Sequence, residues 1–365
     1  MIYLTDYRTA YTKDSELLDD LAYPQKVHWF PETYSRVNTG IFYPPHRLAD
    51  KVLDPNLIKR LRENPVGKTA FILAAGNTNF AGINRDIKPT RLSYSYKFLP
   101  FTLTQVYAGR IAQSCGATDL ITTDSTACAS SLKVMMDVKN LIENYGFNRV
   151  IVLAVEDQVS NSVLDFFGEA RASLSKDETD SGVMPSAFDD ENYGFHVGQG
   201  AVLAVFEHSD VATAPLARLH GAYTASEECS NAIGQREDGQ GFIKAVQGAM
   251  WNCEVEGKIK IVKTHGTGTR SNNVAEKAAL DFLLDDFVAT SYKPTIGHTM
   301  GASGLLETCL LIEEIRAGKM SGIANRTRTD ARYLSHAIVP PEGLILSLAA
   351  GMGNVYSAAV LSVEK

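Results

Sequence analysis

The sequence predicts a layered α/β protein, on three observations. Short apolar runs rich in β-branched residues alternate with segments of helical periodicity. The 28 glycines against 13 prolines suit tight turns between many short elements, and no low-complexity linker interrupts the chain. The runs expected as strands are Phe71 to Ala75, Leu120 to Thr123, Arg149 to Val155 and Ala201 to Glu207. A second set follows at Leu216 to Tyr223, Ile259 to Thr264, Leu344 to Leu348 and Tyr356 to Val363. Helical spacing is plainest in Leu132, Met135, Met136, Leu141 and Ile142, an apolar stripe that ends near Gly146. The polar stretch Ser175 to Asp190 reads as a surface loop over the site. At 365 residues and 45% hydrophobic content the chain can bury a large core.

Composition removes several function classes. The net charge is −7 with no standout basic run, which argues against nucleic acid as a partner. No Gly-x-Gly-x-x-Gly follows a strand and no Walker loop is present, so no nucleotide cofactor is indicated. Apolar stretches are strand-sized, which leads us to expect a soluble cytoplasmic protein with no membrane segment. The five cysteines, at 115, 128, 229, 253 and 309, are scattered and form no Cys-x-x-Cys pair. Neither a disulfide framework nor a zinc site is expected from them.

Chemistry concentrates in three segments. Thr126-Ala127-Cys128-Ala129-Ser130-Ser131 lies between a strand-like run and a helix, and backbone N–H groups at a helix start favour thiolate, so Cys128 reads as a nucleophile. His265 sits in Lys263-Thr264-His265-Gly266-Thr267-Gly268-Thr269, straight after an apolar strand. His298 sits in Ile296-Gly297-His298-Thr299, after a similar run and before a Gly/Ala-rich helix. A cysteine with two histidines is a route to thioester chemistry: sulfur carries the acyl group while imidazoles supply hydrogen bonds and proton handling. The adjacent glycines allow backbone and ligand to approach closely.

At these residues the chain resembles the β-ketoacyl synthase family of the thiolase superfamily, the condensing enzymes of fatty-acid and polyketide synthesis. The resemblance runs from about residue 120 onward. It includes the Cys128 elbow, Phe188-Asp189, Gly194-Phe195, Gly198-Gln199-Gly200-Ala201, the His265 to Thr269 block, Glu276, Lys293, Gly297-His298-Thr299, and Gly301-Ala302-Ser303-Gly304 leading to Glu307. The first 100 residues match poorly. The resemblance implies a thiolase fold, two pseudo-duplicated halves in a five-layer α-β-α-β-α arrangement. Residues 1–210 would carry the nucleophile and residues 211–365 both histidines.

It further implies a decarboxylative Claisen condensation of a Cys128-bound acyl chain with malonyl-acyl carrier protein. Cys128, His265, His298 and Lys293 would be catalytic and Glu307 would support them. Backbone N–H groups of Cys128 and Met352 would form the oxyanion hole, and Phe167, Thr267 and Thr269 would line the substrate pocket. No metal or bound cofactor is implied, since substrates would ride on the phosphopantetheine arm of an acyl carrier protein. Such carriers are acidic, so an acidic synthase needs a local basic contact, and Arg171 occupies the family's carrier-facing position. The implied assembly is a homodimer, or a heterodimer with a chain-length-factor-like subunit.

The chain departs from the family pattern at Met352, where phenylalanine is usual, at Asn273 in place of aspartate, and at Gln199 in place of glutamate. These changes suggest a specialised branch. Other readings stay open at this point. A non-catalytic chain-length-factor type typically lacks the cysteine, a thiolase would want a second catalytic cysteine, and an initiating synthase would want asparagine for the second histidine. A structural module that merely retains the fold is the plainest alternative.

Overall fold

A computed structural model describes residues 1–11, 16–17, 26–27, 49–76, 103–156, 167–228, 231, 233–253, 255 and 257–364. Cys229 lies outside these residues. The strands are β1 (Ile2–Tyr11), β2 (Glu16–Leu17), β3 (Lys26–Val27), β4 (Thr69–Ala74), β5 (Leu120–Asp124), β6 (Arg149–Glu156), β7 (Gly200–His208), β8 (Ala217–Ser226), β9 (Ile259–Lys263), β10 (Val288–Thr290), β11 (Leu344–Gly351) and β12 (Val355–Val363). The helices are α1 (Ala49–Val52), α2 (Pro55–Glu63), α3 (Thr104–Ser114), α4 (Ser130–Tyr145), α5 (Lys176–Asp180), α6 (Gln240–Trp251), α7 (Arg270–Leu283), α8 (Lys293–Ile296) and α9 (Ser303–Arg316). No described helix is long and apolar enough to cross a membrane.

Apart from the short β2–β3 ladder, the strands join one ten-stranded sheet in the order β10-β9-β11-β12-β8-β1-β7-β6-β4-β5. Its two halves repeat one plan. Among the five strands of either half, numbered along the chain, the spatial order is first, fifth, fourth, second, third. The pairing repeats as well: the fifth strand runs antiparallel to the first and the fourth, while the second runs parallel to the fourth and the third. A short antiparallel contact between β1 and β8, Ile2 to Leu219 through Leu4 to Ala217, joins the halves.

Strand side chains alternate between faces, and here both faces are buried, which is why the strands read as continuous apolar runs. Ala70, Ile72 and Ala74 of β4 point into a middle core built on α4 and α9, and Ile345 and Ala349 of β11 meet the same core from the other half. Phe71 and Leu73 face outward onto α1, α2 and α3. Leu346 and Leu348 face outward onto α6 and α7. The result is the five-layer α-β-α-β-α stack, with α4 and α9 as its central layer. α4 ends at Gly146 in the left-handed conformation (φ 68°), where the apolar stripe stops.

Two expectations need correction. The strand patterns passed over β1, whose partly exposed residues do not form an apolar run, and β10, which has only three residues. The segment Ser175 to Asp190 is not simply a surface loop. Its start forms α5, but Ser186, Ala187, Phe188 and Asp189 are buried. The Asp189 carboxylate draws this segment inward, accepting backbone N–H bonds from Glu191, Asn192, Thr327 and Arg328. Burial would raise its pKa, yet these donors hold it down at about 2.

Candidate active site

The strand β5 delivers the chain to a sharp elbow, a 3-10 turn at Ala127–Ala129 that runs into α4. Ala127 sits at φ 49°, a left-handed conformation that costs a non-glycine residue energy and persists because the surroundings fix it. Thr126 N–H donates to Ser130 Oγ (2.9 Å), and that hydroxyl donates to Ala127 O (2.6 Å), clamping the turn. From the other half, the end of β11 presses bare backbone against it. A Cβ at Gly351 would lie 2.7 Å from Thr126 O and 3.3 Å from Cys128 N.

His265 follows β9, as the sequence predicts. Its N–H and that of Gly266 donate to the buried Glu276 carboxylate (2.5 and 2.9 Å), which Asn272 Nδ2 also engages (2.9 Å). His298 does not follow a strand directly: the helical turn α8 intervenes between β10 and Gly297. Its main chain is stitched to the first half, with His298 N–H donating to His196 O (2.7 Å) and Gly198 N–H donating to His298 O (2.9 Å). A Cβ at Gly297 would lie 2.9 Å from Gly198 Cα. The two imidazoles meet edge to face, centroids 5.7 Å apart, and Phe195 packs edge-on against His298 at 4.9 Å.

These elements enclose a cavity of about 300 Å³ that Cys128, His265 and His298 all line. Phe167, Arg171, Thr267, Thr269 and Met352 line it too, so most of the predicted site residues converge here. Lys293 and Glu307 do not. They lie behind the wall, almost fully buried, with Lys293 Nζ 2.8 Å from Glu307 Oε1. A residue that the sequence reading missed completes this cluster: Lys263 Nζ is 3.1 Å from Glu307 Oε2 and 2.7 Å from Leu348 O. Its only sequence signal is a cation that ends a strand whose other residues, Lys260 apart, are apolar and buried. Asn231, Ile233, Gly234, Gln235, Arg270 and Ser271 also line the cavity without having been singled out.

The family models described as "Beta-ketoacyl synthase, N-terminal domain" and "Beta-ketoacyl synthase, C-terminal domain" match residues 49–212 and 216–327. The chain belongs to the β-ketoacyl synthase family. It is 27% identical over 276 residues to the actinorhodin polyketide putative beta-ketoacyl synthase 1 of Streptomyces coelicolor, covering 72% of this chain and 58% of that protein. It is 28% identical over 226 residues to 3-oxoacyl-[acyl-carrier-protein] synthase 2 of Vibrio cholerae, covering 59% and 54%. The aligned spans are thus between half and two thirds of these curated relatives. Among solved structures, a type II acyl-carrier protein in complex with its ketosynthase bound to the hexaketide matches with TM-score 0.81 at 15% identity, covering 100% of this chain and 99% of that one. A ketosynthase in complex with its chain length factor, from Xenorhabdus doucetiae, matches with TM-score 0.74 at 18% identity, covering 100% and 98%. These likenesses carry the thiolase fold of the family.

Electrostatics correct one expectation for this β-ketoacyl synthase site. Burial pushes the Cys128 thiol up to about 12, outweighing the pull of the Lys293 cation and of the backbone N–H. The resting sulfur is therefore a thiol; the helix start alone does not make it a thiolate. Burial also drives both imidazoles well below their ordinary range, and the Lys293 cation reinforces the effect. His265 and His298 are neutral at rest.

The unfolded chain protonates each imidazole below about 6.5, whereas the folded chain resists down to much lower pH. Unfolding then takes up protons, so stability is full above about 6.5 and falls below it, by about 1.4 kcal/mol per pH unit for each histidine. Denaturant unfolding at pH 7.5 and 5.5 should show a smaller loss in a His265→Asn/His298→Asn variant than in the parent. Equal losses would contradict neutral burial.

Proposed function

We propose that the chain catalyses decarboxylative Claisen condensation of a Cys128-bound acyl group with a malonyl group, both delivered as thioesters by an acyl carrier protein. The carrying observation is one cavity that receives a thiol at an elbow, two neutral imidazoles, and a strand end whose backbone packs on that of the thiol. Cys128 Sγ attacks the carrier thioester, forming the acyl–cysteine bond. The carrier thiol leaves with the proton that the cysteine gives up.

Malonyl thioester then loses CO2, and the electron pair of the broken bond passes into an enolate. Neutral His265 and His298 act on it as hydrogen-bond donors, which suits an oxygen gaining negative charge in a dry site. The enolate carbon attacks the acyl–Cys128 carbonyl, whose oxyanion receives the N–H groups of Cys128 and Met352. Collapse expels the cysteine sulfur, which takes one proton from solvent to return to the thiol, and leaves a β-ketoacyl chain on the carrier. Lys293 and Glu307 act from behind the wall, through the field they place on the imidazoles and the thiol. We assign the nucleophile to a first half, residues 1–210, and the imidazoles to a second, 211–365. Phe167, Thr267 and Thr269 contact the substrate, and a second synthase-type subunit, identical or chain-length-factor-like, completes a dimer.

Incubation with an acyl-carrier donor should add the acyl mass to the Cys128 peptide, and malonyl carrier should then yield a β-ketoacyl product. Labelling at Cys115 or Cys309 instead would sink the assignment. Absence of any acylation would leave a non-catalytic partner subunit as the better reading. Arg171, exposed at the cavity, is the proposed carrier contact. Arg171→Glu should raise KM for carrier donors several-fold and flatten its salt dependence while sparing a small thioester donor. Equal loss with both donors would mean that Arg171 supports the pocket itself.

A further inference from the structure

A neutral imidazole carries one N–H, and the partner of one nitrogen decides what the other presents. His298 Nδ1 lies 2.9 Å from Ser303 Oγ, and Thr299 Oγ1 lies 3.2 Å from the same oxygen. His298 is 2% exposed, and both hydroxyl residues are fully buried. Neither hydroxyl has another hydrogen-bond partner among the described residues. Thr299 is also held in place, since a Cβ on Gly200 would lie 3.0 Å from its methyl group.

The hydrogens of this chain can be arranged with the imidazole hydrogen on Nε2 or on Nδ1. In the first arrangement, Thr299 O–H donates to Ser303 Oγ and Ser303 O–H donates to Nδ1. Both hydroxyl hydrogens then have an acceptor, and Nε2 carries the imidazole hydrogen. With the hydrogen on Nδ1, Nδ1–H donates to Ser303, and then either Ser303 donates to Thr299 or Thr299 donates to Ser303; one hydroxyl hydrogen is left buried with no acceptor either way. An orphaned buried hydroxyl costs enough to favour the first arrangement on the order of tenfold or more.

We propose that Ser303, backed by Thr299, is a positioning residue that fixes His298 as the Nε2–H tautomer, a hydrogen-bond donor to the cavity. The proposal rests on the condensing-enzyme reading only for the use of that donor, which is to hold the enolate oxygen. His265 has no such device: its buried Nδ1 has no hydrogen-bond partner among the described residues. The two imidazoles are therefore not equivalent, and only His298 has its donor direction built into the fold.

The test is long-range ¹H–¹⁵N correlation on the full chain with labelled histidine at pH 7.5, without substrate, where His298 is neutral. The parent should show His298 almost entirely as Nε2–H. Ser303→Ala should populate the other tautomer, and Ser303→Cys, a near-isosteric weaker donor, should fall between; it also serves if the alanine variant folds poorly. Malonyl decarboxylation should fall about tenfold in kcat in Ser303→Ala with KM little changed, while acylation of Cys128 persists. A parent signal from Nδ1–H, or a tautomer ratio unmoved by either variant, overturns the proposal. A tautomer that shifts as expected in a chain with no malonyl turnover overturns the condensing reading and leaves the hydrogen-bond assignment standing.

Discussion

Cys128→Ser should lower acyl transfer and condensation together by roughly a thousandfold or more. The reason lies in how the residue is activated. Cys128 is nearly buried, its thiol is pushed up to about 12, and no base is hydrogen-bonded to its sulfur among the described residues. Sulfur tolerates this, because a thiol gives up its proton far more readily than an alcohol and attacks strongly once it does. A serine hydroxyl in the same place would need a hydrogen-bonded base. Mass spectrometry of the Cys128 peptide after exposure to an acyl donor, with product analysis after malonyl addition, measures both losses. His265→Ala and His298→Ala should instead retain measurable acylation while losing most CO2 release from malonyl carrier. A serine variant that condenses near the parent rate, or histidine variants that cannot be acylated, would require a different division of labour.

The second large effect is on stability. Glu307 accepts from two lysines, and all three side chains are almost completely buried. Removing the carboxylate in Glu307→Ala leaves two ammonium groups facing each other without a counterion, a change expected to cost roughly 3–5 kcal/mol. The denaturant midpoint should fall steeply, and the site should fail with the fold. A triple variant, Lys263→Met/Lys293→Met/Glu307→Leu, removes the charges as a set. It should recover most of the stability, since a buried ion cluster contributes little net stability over apolar packing of similar volume. Recovery of the fold without recovery of decarboxylation would show that the cluster exists for chemistry. A Glu307→Ala chain as stable as the parent would mean that the lysines shed their protons or reach solvent.

How much of this was legible beforehand follows from which signals are local. The Cys128 elbow, the His265 block and Gly297-His298 announce themselves because each needs particular small residues beside a reactive one. All eight expected strands and the expected helix coincide with observed elements, because their apolar or periodic runs reflect their own burial, though boundaries moved: β11 extends to Gly351, three residues past the apolar run. Lys263 was not legible, because nothing in a strand's own pattern says that a glutamate 44 residues away will meet its last side chain. β1 was missed for a related reason. It pairs with β7 and β8, about 200 residues distant, and seven of its ten residues are only partly buried. The resting charge of Cys128 was misjudged because the helix start is visible in sequence whereas the depth of burial is not.

Among the described residues, four glycines of the second half pack bare backbone on main chain of the first: Gly351 on the elbow, Gly268 on Ser186 and Gly194, Gly297 on Gly198, and Gly301 on Gly76, where a Cβ at Gly301 would lie 2.0 Å from Gly76 N and both N–H groups donate to the Glu156 carboxylate. At each seam main chain meets main chain, so the approach of the halves leaves no room for a side chain at these glycines. The cavity wall is a separate matter, drawn from Phe167, Ile233, Met352 and their neighbours. Drift in the wall can therefore remodel what the cavity admits while the reacting groups keep their register, whereas a single methyl group at a seam disturbs the register for every substrate alike. The molecule separates evolvability from alignment, and a library aimed at new acyl preferences should leave the seams untouched and vary the wall.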